Sequence, residues 1–94
     1  MLSFMLNIKV KREHVGRAQD ALGRIDAAAQ GHEGKVSFTW FRHLDDETRL
    51  TLFEQWKDQR CLDAHVEKII GIWNEFTPCL DGEPVSTKLE KLVQ

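Results

Sequence analysis

Phe53-Glu54-Gln55-Trp56-Lys57-Asp58-Gln59-Arg60-Cys61-Leu62-Asp63-Ala64-His65 is the stretch in which the hydrophobic pattern of the chain changes period. Up to Trp56 the apolar spacing is two, and after Asp58 it is three to four. A strand therefore runs into a helix, with the Asp58 carboxylate placed to accept from the first free amides of that helix. Glu54 and Trp56 share one strand face. His65 falls on the helical stripe that also carries Leu62, Ile69, Ile72, Trp73 and Phe76. A carboxylate, an indole and an imidazole are thus expected to converge where the helix covers the sheet.

Working outward, Leu50 and Leu52 continue the apolar face of that strand, and Asp45-Asp46-Glu47 marks the turn before it. Ahead of the turn, Val36, Phe38 and Trp40 alternate with Ser37, Thr39 and Phe41 after Gly34, the pattern of a half-buried strand. Near the start, Phe4, Leu6, Ile8 and Val10 alternate with Met5, Asn7 and Lys9 in another. Between these two, Glu13 to Gln30 places Val15, Ala18, Leu22, Ile25 and Ala29 at helical spacing, and Gly31 supplies the stop. The second helix is expected over about Gln59 to Phe76. Pro78, Gly82 and Pro84 then break the chain before a last strand from Val85 to Leu92. The order is β-α-β-β-α-β, an α+β ferredoxin-like fold with a four-stranded antiparallel sheet and two helices on one face.

Those helices leave the other sheet face bare. Met5, Thr39, Phe41, Thr51 and Phe53 point to it, a surface with too many large apolar groups for water. A second copy packed face to face is the simplest cover and makes a dimeric α+β barrel, which a thin single core favours.

Composition narrows the function classes. Residues 1–94 are expected to form a single domain, with 13 basic against 15 acidic residues and a net charge of −2. Both signs are scattered, so there is no nucleic-acid footprint and no polybasic membrane patch. Met1 to Val10 lacks the features of a secretory leader, and no run approaches the roughly 20 apolar residues of a membrane span, so a cytoplasmic location is expected. Cys61 and Cys79 lie at the start of one helix and beyond its end, without CxxC spacing, and read as reduced packing residues. His14, His32 and His43 lack metal-ligand spacing and read as solvated, and no metal is expected. There is no phosphate-binding glycine loop and no nucleophile elbow.

Glu54-Gln55-Trp56-Lys57-Asp58, followed by Leu62 and His65, resembles the Glu-x-Trp/Tyr-x-Asp/Ser and Ala/Leu-x-x-His signature of the antibiotic biosynthesis monooxygenase domain family. Gly34, the acidic turn at Asp45-Asp46 and Leu80-Asp81-Gly82-Glu83-Pro84-Val85 also sit where the family has them. The resemblance implies a dimeric ferredoxin-like barrel with one pocket per subunit between sheet and helices. It also implies a range of roles: oxygenases that act on phenols and quinols without metal or flavin, relatives that process a bacterial signalling molecule, and haem-degrading proteins. The chain departs from the family after His65, where Val66-Glu67-Lys68-Ile69-Ile70-Gly71 replaces a Thr/Ser-Pro-His/Phe segment, so no second pocket imidazole is expected.

The candidate catalytic residues are His65, as a proton acceptor at neutral pH, and Glu54, orienting it. Trp56, Trp40, Trp73, Phe38, Phe76 and Leu62 are the candidate walls for a small aromatic ligand. The leading reading is a cofactor-independent monooxygenase that oxidises a phenol or quinol with O2. A binding or sensing dimer of the same fold without turnover is the alternative. A haem-degrading relative comes third, because alternation turns Asn7 away from the helix side. No cofactor is expected.

Overall fold

The computed structural model describes residues 1–93, and the chain runs β1 (Leu2–Lys9), α1 (Val15–Ala28), β2 (Lys35–His43), β3 (Asp46–Trp56), α2 (Gln59–Phe76) and β4 (Val85–Leu89). Single 3-10 turns at Arg12–His14 and Thr77–Cys79 lead into α1 and out of α2. The four strands form one antiparallel sheet in the order β2-β3-β1-β4, which is the ferredoxin-like topology expected from the hydrophobic periods. No helix among the described residues is long and apolar enough to cross a membrane.

The register explains which side chains meet. Leu6 lies opposite Leu52 and Phe4 opposite Glu54 across β1 and β3, while Phe38 pairs with Glu54 and Trp40 with Leu52 across β2 and β3. Period-two alternation therefore puts Phe4, Leu6, Phe38, Trp40, Leu52, Glu54 and Trp56 on one face, under the helices. Met5, Thr39, Phe41, Thr51 and Phe53 take the other, with Asn7 among them, where its carbonyl oxygen accepts from the Thr51 hydroxyl at 2.7 Å. A register shift between Lys35 and Ser37 absorbs Val36, which leaves Phe38 and Trp40 in phase with β3.

Several boundaries differ from the periodic reading, among them the end of the first helix at Ala28 rather than Gln30. The first helix begins at Val15 rather than Glu13, because Arg12–His14 close a tighter turn. The third strand starts at Asp46, four residues before Leu50, since Asp46 turns its carboxylate onto the Thr48 amide and hydroxyl and then enters the sheet. The last strand stops at Leu89, where pairing with β1 runs out at Ser3. The second helix spans Gln59–Phe76 as expected, and Asp58 accepts from the Cys61 amide at 2.9 Å.

The core between sheet and helices joins Ile8 of β1 and Val10 just beyond it to Ala18, Leu22 and Ile25 of α1, with Phe76 and Cys79 closing its far end. Cys61 and Cys79 are both buried free thiols.

Candidate functional site

The layer between β1, β2, β3 and α2 is not completely filled. A cavity of about 270 Å³ lies there, and Phe38, Trp40, Glu54, Leu62, His65 and Trp73 are among its walls. Among the described residues, Glu54 and His65 are its only ionisable lining groups; the rest of the lining is aliphatic and aromatic. A larger open groove of about 570 Å³ runs between α1 and the β2 edge and shares Phe38 and Trp40, but no histidine lines it.

His65 reaches the cavity from the second turn of α2, on the stripe that also carries Leu62, Ile69 and Trp73. It is almost completely buried, at 4 % exposure. Its ring lies against Trp56, with centroids 4.6 Å apart, and meets Phe38 edge-on at 5.2 Å. Burial drives its pKa down from 6.5 to about 4, and the neighbouring His32, Lys35 and Lys68 push the same way. At neutral pH the ring is an uncharged imidazole with one bare nitrogen.

The partner that holds this ring is one the sequence placed in solvent. Nδ1 of His32 lies 2.8 Å from Nδ1 of His65, so the two imidazoles share a hydrogen bond and one of them supplies the proton. The solvated assignment of His32 is therefore corrected, while His65 remains the one imidazole among the described residues that line the cavity. The second ring comes from the α1–β2 loop, not from the segment after His65. His43 is also engaged, with Nε2 2.9 Å from the Thr51 hydroxyl.

The loop is pinned where His32 needs it. Gly31 and Gly34 have φ values of 76° and 77°, a left-handed backbone that glycine adopts without strain. A Cβ at Gly34 would fall onto the Cys61 side chain, so the loop lies directly on the start of α2. The Gly34 carbonyl accepts from the Lys57 amide at 2.7 Å, and Glu33 pairs with Arg60 at 3.4 Å.

Glu54 is buried but does not hold His65. Its Oε1 accepts from the Trp56 Nε1–H at 2.9 Å, and no hydrogen bond joins Glu54 to His65 among the described residues. Desolvation raises its pKa, and the indole bond partly offsets that shift. The hydrogen bond to the His65 ring expected of Glu54 is made by His32 instead.

The predicted walls divide in the same way. Phe38, Trp40, Leu62 and Trp73 line the cavity, whereas Trp56 is not among its lining residues and backs the His65 ring. Phe76 lies on the His65 stripe but packs into the α1 core. About eleven residues of helix carry it roughly 16 Å along the axis, past the end of the cavity. Trp40 contributes something that periodicity does not show: its indole Nε1 is buried without a hydrogen-bond partner. In a layer this apolar, an unmet donor is costly unless a ligand acceptor meets it. Among the described residues no group of three or more histidine, cysteine or acidic side chains is arranged to hold a metal ion.

The model of the family described as antibiotic biosynthesis monooxygenase matches residues 1–68, which include both histidines, Glu54 and Trp56. A crystal structure of an antibiotic biosynthesis monooxygenase superposes with a TM-score of 0.91 at 14 % identity, over 99 % of this chain and 100 % of the other. A conserved protein of Methanosarcina mazei Go1 gives 0.85 at 25 % identity, over 97 % and 94 %. A Mycobacterium tuberculosis protein gives 0.87 at 16 %, over 99 % and 96 %. No curated protein matches the chain in sequence.

Proposed function

The chain belongs to the antibiotic biosynthesis monooxygenase family, and on that premise we propose that it oxidises a small phenol or quinol with O2 in the cavity between sheet and α2, using no cofactor. The observation that carries this reading is His65 Nε2. It makes no hydrogen bond among the described residues, it belongs to a ring that is neutral at physiological pH, and its ring lies on the wall of an aromatic-lined space of about 270 Å³. A phenol hydroxyl presented there meets a base in a dry environment.

The reaction balances without an outside reductant. A phenol or quinol with a free ortho or para carbon gives up its hydroxyl proton to His65, and the phenolate reduces O2. One oxygen atom bonds to the ring carbon, the ring loses that carbon's hydrogen, and the other oxygen leaves as water, so that phenol plus O2 becomes quinone plus water. The unmet Trp40 donor offers a hydrogen bond to an oxygen on the ligand or to the reduced oxygen species. Phe38 and Trp73 supply flat walls for the ring, and Leu62 closes the end near the start of α2.

Two protomers are part of the proposal. Phe41 is 54 % exposed and Val85 59 % exposed on the sheet face that no helix covers, and Met5 and Phe53 sit between them. Face-to-face association would bury this surface. The test is oxygen uptake by the purified protein with 1-naphthol and with hydroquinone, in buffer stripped of metal and flavin. Uptake matched mole for mole by the naphthol consumed supports the oxygenase. Binding of both compounds without uptake would point to a sensing dimer instead.

A further inference from the structure

We propose that His32 and His65 form a two-imidazole proton relay, which carries the proton abstracted from a cavity ligand out to solvent through the α1–β2 loop. The relay rests on the proposed phenol chemistry for its proton donor, but its wiring is a property of the chain alone.

Two observations carry it. The bond between the rings runs Nδ1 to Nδ1 at 2.8 Å, which leaves the Nε2 atom of each ring at the far end of the pair. His65 lines the cavity, whereas His32 is not among the lining residues and belongs to a surface loop. One ring therefore lines the cavity and the other, half-buried, sits in the loop outside it, with a single hydrogen bond between them.

The step balances as a tautomer exchange. At rest His65 carries its proton on Nδ1 and donates it to the bare Nδ1 of His32, whose own proton is on Nε2. When His65 Nε2 takes the hydroxyl proton of the ligand, its Nδ1 proton passes to His32 Nδ1 and the His32 Nε2 proton leaves to solvent. One proton crosses, both rings end neutral with tautomers exchanged, and the reverse transfer resets them when a proton is returned.

The surroundings favour a relay over storage of charge. Lys35 on β2 and Lys68 on α2 face the pair electrostatically, and Glu54 on β3 is occupied by Trp56. On the cavity side the remaining elements contribute apolar groups, Phe4 and Leu6 from β1 and Ile25 from α1, while Glu33 beside His32 is paired with Arg60 of α2. An imidazolium at His65 is disfavoured by burial and by those cations, so a base that hands its proton on at once suits the site better than one that keeps it.

The experiment has two arms on the full chain. Long-range 15N–1H correlation at about pH 7.5 reads the tautomers: His65 should be protonated on Nδ1 with Nε2 bare, and His32 protonated on Nε2. His32→Gln should keep that His65 tautomer, because the amide oxygen can accept from Nδ1–H but cannot pass a proton on. In the second arm, oxygen uptake with 1-naphthol should fall in His32→Gln by on the order of tenfold in kcat with KM nearly unchanged. His32→Ala should be partly rescued by added imidazole. A wild-type His65 protonated on Nε2, or a His32→Gln protein that turns over at the wild-type rate, overturns the relay. If wild-type protein takes up no oxygen, the phenol reading fails, and the tautomers alone then decide the wiring: Nδ1–H on His65 supports it and Nε2–H overturns it.

Discussion

The Trp56 Nε1–H donates to Glu54 Oε1 at 2.9 Å, a bond between two residues that share one face of β3. It provides a buried carboxyl with a partner inside its own strand and leaves the His65 ring to be held by the α1–β2 loop. Trp56 is fully buried, so the pair forms a fixed back wall behind His65.

Trp56→Phe keeps the ring and removes the donor. Glu54 then loses the one interaction that lowers its pKa, so its value, already raised by burial, should rise further. Carboxyl 13C shifts followed through a pH titration read this directly. The melting midpoint should drop, with a loss of about 1–3 kcal/mol for an unmet buried acceptor. An unchanged Glu54 titration would mean that the indole bond does not hold in solution.

His65→Ala separates chemistry from packing. If the imidazole accepts the ligand proton, turnover of an accepted naphthol disappears while the protein stays folded, and the rate on the folded fraction is the deciding quantity. If the ring only fills space, thermal stability falls and the rate per folded molecule survives.

Stability should depend on pH with a definite sign. The folded-state pKa of His65 is held below its ordinary 6.5 at about 4, and that of His32 is lowered too, so the unfolded chain binds protons first. Stability is therefore fully present above about pH 6.5 and is lost as pH falls toward 4. Glu54 acts the other way, because its raised pKa lets the folded state take up a proton before the unfolded chain does. Urea unfolding of Glu54→Gln at stepped pH isolates the histidine contribution. A flat profile between pH 6.5 and 4.5 in that variant would contradict the buried neutral pair.

Gly34→Ala should disturb the site from the loop. The substitution places a Cβ onto Cys61 and forces an L-residue to φ 77°, which costs about 1–3 kcal/mol. Because Gly34 lies two residues from His32, the histidine bond should loosen as well. His65 imidazole resonances should shift toward those of an unpaired ring, while resonances of Ile8 and Leu22 on the far side of the core stay in place.

Phe53→Arg tests the proposed second protomer. Phe53 lies opposite Met5 and Thr39 at the centre of the uncovered face. Wild-type protein should sediment as a dimer at micromolar concentration, and the variant as a monomer. A folded wild-type monomer under those conditions removes the barrel dimer.

Much of this architecture is readable from the residues because it depends on local periods. Alternation at Leu50, Leu52, Glu54 and Trp56 sets which side chains lie under the helices, and the stripe through Leu62, His65, Ile69 and Trp73 sets which face of α2 looks down. Asp58 caps that helix because a short carboxylate before a helical run reaches the third amide whatever the rest of the chain does. The sequence by itself thus determined the element order, the sheet faces and the meeting of Glu54 and His65 on one cavity. Tertiary structure alone decided the partners. A helical projection gives the angle of Phe76 but not that its height carries it beyond the cavity. Alternation aligns Glu54 with Trp56 but does not say that the indole will take the carboxylate. The contact of His32 with His65 joins residues 33 apart in the chain. It depends on two left-handed glycines and a close approach to Cys61, and no periodic pattern records a loop conformation set by packing against a distant helix.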